Sequence, residues 1–82
     1  MANVTVVAKI FAEDPKDLDD IKTRIAESMR LADARIEEIG FGVKVLRVMV
    51  IISDKEGGDI EDKLKRVKGV SQVQIDDISL VV

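Results

Sequence analysis

The run VKVLRVMVII, residues 43–52, limits the fold more than any other part of this chain. Eight of its ten residues are apolar and most of those are β-branched, so it reads as a strand. A strand apolar on both faces cannot sit at the edge of a sheet in water. It belongs in the centre, with neighbours on both sides. Residues 4–11, from Val4 to Phe11, are also β-branched and are flanked by polar residues, which makes a second central strand.

The remaining segments supply the edges and the cover. In EDPKDLDDIKTRIAESM, Leu18, Ile21, Ile25 and Met29 recur at helical spacing, with Pro15 near the start. Acids crowd the first turn of this helix, where the dipole favours them. ARIEEI, residues 34–39, is a short strand of mixed charge. A second helix is expected over residues 59–67, with Ile60, Leu64 and Val67 on one stripe, Asp59 as N-cap and Gly69 as stop. Its pairs Glu61–Lys65 and Asp62–Arg66 have the favourable acid-first spacing. VSQVQIDDISLVV, residues 70–82, completes the set as a fourth strand.

This order, βαββαβ, predicts an α+β ferredoxin-like sandwich as one domain over residues 1–82. The four-stranded antiparallel sheet takes the order 4-1-3-2, with both helices on one face. Strands two and four carry Arg35, Glu37, Glu38, Gln72, Gln74, Asp76 and Asp77, as edge strands should. Leu46, Val48, Val50 and Ile52 then face the helices. Val45, Arg47, Met49 and Ile51 fall on the open face, joined by Val7 or Phe11, which makes that face more apolar than water prefers. The topology places the Gly40-Phe41-Gly42 turn, the EDPK loop and the Lys68-Gly69 turn at one end of the sheet. The C-terminus, the SDKEGGD loop and a connection at Leu31-Ala32-Asp33 lie at the other.

Composition removes most chemistry. There is no Cys and no His, which takes away disulfides, thiolates and the commonest zinc ligands together. A nucleophile at Ser28 or Ser53 has no base to activate it. Asp19-Asp20, Glu37-Glu38 and Asp76-Asp77 read as solvated faces rather than catalytic pairs. SDKEGGD lacks the acidic alternation of a calcium loop and the Gly-Lys-Ser/Thr close of a phosphate loop. An enzyme is therefore not expected, nor a cofactor or metal. With sixteen acids against thirteen bases and almost no aromatic residues, nucleic acid is not an expected partner. No segment is apolar for long enough to span a membrane as a helix.

One feature resists this plain account. Phe41, one of two Phe residues, sits between Gly40 and Gly42 where a turn should be polar. Glycines on both sides permit positive φ and close approach of another backbone. Composition and spacing leave two places for the ring: folded over the sheet end as a cap, or exposed as an anchor for a partner.

IGFGVKVLRVMVIISDKEG, the acidic-basic helix and VKGVSQVQIDDIS together resemble the guanine-nucleotide exchange module of the elongation factor 1 beta family. The family signature is met by Ile39, Gly40, Phe41, Gly42, Val43 and Leu46, and its ending by Gly69, Val70, Val73, Ile75 and Asp77. The short form is similar to the archaeal type. The resemblance implies a cytoplasmic translation factor that binds the GTPase elongation factor 1 alpha and speeds release of GDP so that GTP reloads. It implies that Ile39, Gly40, Phe41 and Gly42 dock on the second domain of the GTPase, with Lys44 assisting. The opposite end, including Val82, is expected to approach the nucleotide. Eukaryotic members place a Lys next to last; this chain ends Leu80-Val81-Val82, and Lys55 at the same end is the expected substitute. The free chain is expected to be a monomer. The competing reading is a ferredoxin-like regulatory or oligomerisation module that binds a small ligand on its open sheet face.

Overall fold

A computed structural model describes residues 3–53 and 59–81. Strand β1 spans Asn3–Ala12 and leads through a 3-10 turn at Pro15–Asp17 into helix α1, Leu18–Ser28. Strands β2, Arg30–Gly40, and β3, Val43–Ser53, form a hairpin. Helix α2, Ile60–Lys65, and strand β4, Val70–Val81, complete the chain. The sheet is antiparallel throughout with the order β2-β3-β1-β4, which is the expected 4-1-3-2 read from the other side.

Alternation along the central strands makes the core. Val4, Val6, Ala8 and Ile10 of β1 and Leu46, Val48, Val50 and Ile52 of β3 are all buried. They join Leu18, Ile21 and Ile25 of α1 and Ile60 and Leu64 of α2 in one cluster. The register pairs Ile10 with Leu46, Ala8 with Val48 and Val6 with Val50, so each apolar residue meets another on the same face. Met29 and Val67, expected on the helical stripes, lie just beyond the helix ends and still pack on this core.

Four expectations need correction. The Leu31-Ala32-Asp33 segment is not a connection but part of β2, which starts at Arg30. Leu31 pairs with Val50 and packs on the core, and a register shift between Leu31 and Asp33 absorbs Ala32. Tertiary pairing with β3 thus overrides the weak strand propensity of Ala-Asp-Ala. Asp59 stands at the N-cap of α2 but its side chain accepts no capping hydrogen bond, because its backbone is not extended (φ −107°, ψ 1°). The cap that does form is at Asp14, whose extended backbone lets its carboxylate accept from the Lys16 N–H at 3.0 Å. Glu61 and Lys65 pair at 3.0 Å, but no ion pair joins Asp62 to Arg66.

The fourth concerns the open face. Val45 is fully buried there and Ile51, Val7 and Phe11 are half-buried, while Met49 is 37% exposed and Val43, toward the turn, 46%. Long charged side chains cover the rest: Lys9 reaches Asp76 at 3.6 Å, Arg47 reaches Glu37 at 3.7 Å and Arg35 reaches Asp33 at 3.2 Å. Asp76 also accepts from Gln74, and Asp77 from Ser79, so these acids dress the sheet surface.

The turns expected at one end of the sheet do meet there. The Glu13 N–H donates to the Gly69 carbonyl at 3.0 Å and Ala12 pairs with Val70, joining the β1 exit to the β4 start beside the Gly40–Val43 turn. At the opposite end, Asn3 pairs with both Ser53 and Val81.

Leu46→Ala should lower unfolding free energy by about 2–5 kcal/mol, the usual cost of emptying a closed core site. Ile78→Ser, at a β4 side chain that is 55% exposed, should change it by less than about 1 kcal/mol. Guanidinium denaturation of both variants checks the contrast.

Candidate functional site

The tip is built by the pairing that stops at Gly40 and Val43. Only Phe41 and Gly42 remain to turn the chain, and both have positive φ, 53° and 76°. That sign at both central positions matches the primed turns favoured by tight hairpins, whose twist suits the flanking strands. Gly40 before them has φ 119°. An added Cβ at Gly40 or Gly42 would meet nothing within 4 Å, so glycine is required there by backbone conformation and not by space.

Phe41 is the only non-glycine residue with positive φ among the described residues. Residues with a Cβ occupy that region at a cost of roughly 1–2 kcal/mol, and Asn or Gly is the ordinary solution at this turn position. Nothing in the fold repays the strain. The ring is 108% exposed, so it makes no cap over the sheet end. An exposed Phe also forgoes roughly 1.5–3 kcal/mol of burial. Two local costs fall on one side chain, in a position where strain commonly marks function.

The neighbouring residues extend the apolar surface. A register shift between Glu38 and Gly40 leaves Ile39 outside the ladder, 48% exposed. Val43 is 46% exposed on the other arm, and Ile36 is 45% exposed further down β2. Ile39 was legible from the sequence as part of the tip and Val43 as part of the same signature; Ile36 was read as an ordinary strand residue. Their exposure comes from the hairpin extending past the cover of the helices, which strand patterns do not report. Lys44 is exposed and pairs across the hairpin with Glu38.

The other expected end is described in part. Leu80 is 63% and Ile78 55% exposed near the end of β4. Lys55 and Val82, and the Asp54–Gly58 part of the SDKEGGD loop, lie outside the described residues. Among the described residues no group of three acids is placed to hold a metal ion, and no helix is long and apolar enough to cross a membrane.

Comparison with known proteins agrees with this architecture. Among solved structures, the ACT domain from GTP pyrophosphokinase of Chlorobium tepidum superposes with a TM-score of 0.62, covering 93% of this chain and 100% of that one. At 14% identity the likeness is one of fold alone. Among curated proteins, elongation factor 1-beta of Methanoculleus marisnigri is 32% identical over 84 residues, covering 99% of this chain and all of the relative. Elongation factor 1-beta of Methanothermobacter thermautotrophicus is 35% identical over 85 residues, covering 95% of this chain and 96% of the relative. The model of the EF-1 guanine nucleotide exchange domain matches residues 5–81, a span that takes in β1 from Thr5, the other three strands, both helices and the Phe41 tip. The chain belongs to the EF-1 guanine nucleotide exchange domain family.

Proposed function

We propose that residues 1–82 act as one exchange domain, monomeric when free and working in the cytoplasm, that uses the Phe41 tip to hold elongation factor 1 alpha while GDP leaves. The exchange function follows from family membership. The observation that carries the tip's part is the ring of Phe41, fully exposed on a backbone held at positive φ between two glycines. Ile39 and Val43 widen the anchor, Gly40 and Gly42 permit its turn, and Lys44 adds a cation at its base.

The mechanism is one of linkage, with no covalent step. A partner that binds the nucleotide-free GTPase more tightly than the GDP form must weaken GDP by the same factor. A thousandfold faster release needs only ~4 kcal/mol off the barrier. The principal dimensions of the fold, 40 × 22 × 18 Å, let one rigid sheet reach two regions of a partner at once. The tip supplies binding energy at one end. The opposite end, where Leu80 is exposed, is the part we assign to the nucleotide region; the roles of Lys55 and Val82 there rest on the family resemblance alone.

The competing reading of a ligand module on the open sheet face is not favoured. That face carries cross-strand ion pairs over buried Val45, and among its described residues the exposed large apolar ones on β3 are Met49 and, toward the turn, Val43.

Release of a fluorescent GDP analogue from an archaeal elongation factor 1 alpha tests the proposal. The wild-type chain should accelerate release. Phe41→Ala should raise the concentration needed for half-maximal acceleration by roughly thirtyfold, as loss of an anchor worth about 2 kcal/mol requires. The limiting rate should stay near that of wild type, because the tip contributes binding and not the disturbance of the nucleotide. An unchanged half-maximal concentration would remove the ring from the interface.

The strain at the turn makes a second outcome. Phe41→Asn should raise unfolding free energy by about 1 kcal/mol, since Asn tolerates the left-handed region. The same variant should weaken exchange as Phe41→Ala does. Chemical denaturation beside the exchange assay measures both effects on one protein.

A further inference from the structure

The outer edge of β2 is blocked over one half and open over the other. Among the described residues no strand lies beyond β2, so every second residue turns its N–H and C=O outward. The turn decides which ones. A two-residue hairpin closes on a hydrogen-bonded pair, here Gly40 and Val43. Alternation along β3 then aims the backbone of Val45, Arg47 and Met49 at β2, where they meet Glu37, Arg35 and Asp33. Ala34, Ile36 and Glu38 are left facing the free edge.

Ala34 agrees with this assignment and is itself stoppered. Its N–H donates to the Asp33 Oδ1 at 2.9 Å and not to β3. The other oxygen of that carboxylate accepts from the Arg35 Nη2 at 3.2 Å, which holds the stopper in place. A charged side chain folded over an edge N–H keeps other strands from pairing there. Ile36 and Glu38 lack such a cover, for no described residue bonds their outward N–H groups.

The open half is also the apolar half. Ile36 and Ile39 are each nearly half-exposed, and both lie between the stopper and the Phe41 ring. At about 3.4 Å per residue, Ile36 and Phe41 stand roughly 17 Å apart, within reach of one partner surface. The edge at β4 differs: two register shifts interrupt it, and Asp76 and Asp77 stand in its middle.

Taking the Phe41 tip as the anchor for elongation factor 1 alpha, on which this inference rests, we propose that the β2 edge binds the same GTPase by strand addition. An extended segment of the GTPase pairs with Ile36 and Glu38 as a short fifth strand, and its apolar side chains lie against Ile36 and Ile39. A second copy of this chain fits the edge less well. Antiparallel pairing of two β2 edges about Ile36 sets Ala34 against Glu38 of the second copy at both ends, and each Ala34 N–H is already taken by Asp33.

Amide hydrogen exchange of the full chain, free and bound to nucleotide-free archaeal elongation factor 1 alpha, tests the pairing. In the free chain Arg35 and Glu37 should exchange slowly, and Ile36 and Glu38 fast. In the complex Ile36 and Glu38 should slow by at least about tenfold. Two variants isolate the hydrogen bond. Glu38→Pro removes an N–H at an outward edge position, where proline is tolerated, and Glu38→Ala removes the same side chain but keeps the N–H. In GDP release, Glu38→Pro should raise the half-maximal concentration at least about tenfold, because it leaves a carbonyl of the partner unpaired. Glu38→Ala should stay within about threefold of wild type. Fast exchange at Ile36 and Glu38 in a complex that Phe41→Ala weakens would overturn the edge pairing and leave the tip in place. Equal effects of proline and alanine would overturn it too. A complex indifferent to Phe41→Ala and Glu38→Pro alike would remove tip and edge together. Slowing of the same two amides in the free chain as its own concentration rises would give the edge to a second copy and overturn the proposal. If Glu38→Pro does not fold, the exchange rates of the wild-type chain decide alone.

Discussion

Pairing of β3 with β1 over a shared apolar row is the constraint on which the rest of this structure depends. Leu46, Val48, Val50 and Ile52 each face an apolar residue of β1, and a slip of one residue would turn the whole row toward water. With that register set, α1 and α2 have one surface to cover, and β2 and β4 have one edge each to occupy. The domain has no disulfide and no buried polar side chain among the described residues, so this row and its cover carry its stability.

The same register determines where the tip stands. Because β2 and β3 stay paired up to Gly40 and Val43, the turn is held at the end of a stiff ribbon, away from the helices. A Phe at positive φ there is locally unfavourable twice over, in backbone conformation and in exposure. A flexible loop could relax both by folding the ring back. The two-residue turn cannot, which is why the ring is available to a partner in advance of binding, at little further cost in entropy.

Charge is distributed to match. The open sheet face is dressed with cross-strand ion pairs, each worth little alone but together keeping Val45 and Ile51 from water. On the helical face, Arg24, Arg30, Lys63, Arg66 and Lys68 line one cleft. An acidic chain thereby presents three distinct surfaces: an apolar tip, a neutralised sheet and a basic cleft.

Much of this was legible in the residues. The apolar run at 43–52, the helical spacing of Leu18, Ile21 and Ile25, and the charged edges dictated four strands, two helices and the order of the sheet, because burial periodicity is a property of the chain itself. The glycine-flanked Phe41 was visible as an anomaly, since turn chemistry is local. Its exposure was not, because a cap and an anchor have the same sequence. Only tertiary structure decided that β2 begins at Arg30, where pairing with β3 outweighs propensity, and that Val45 is covered by its neighbours on the open face. It alone brings Arg24, Arg30, Arg66 and Lys68 to one cleft, for residues far apart in the chain meet only through packing. What was local or periodic could be read from the sequence; what depends on which surfaces meet could not.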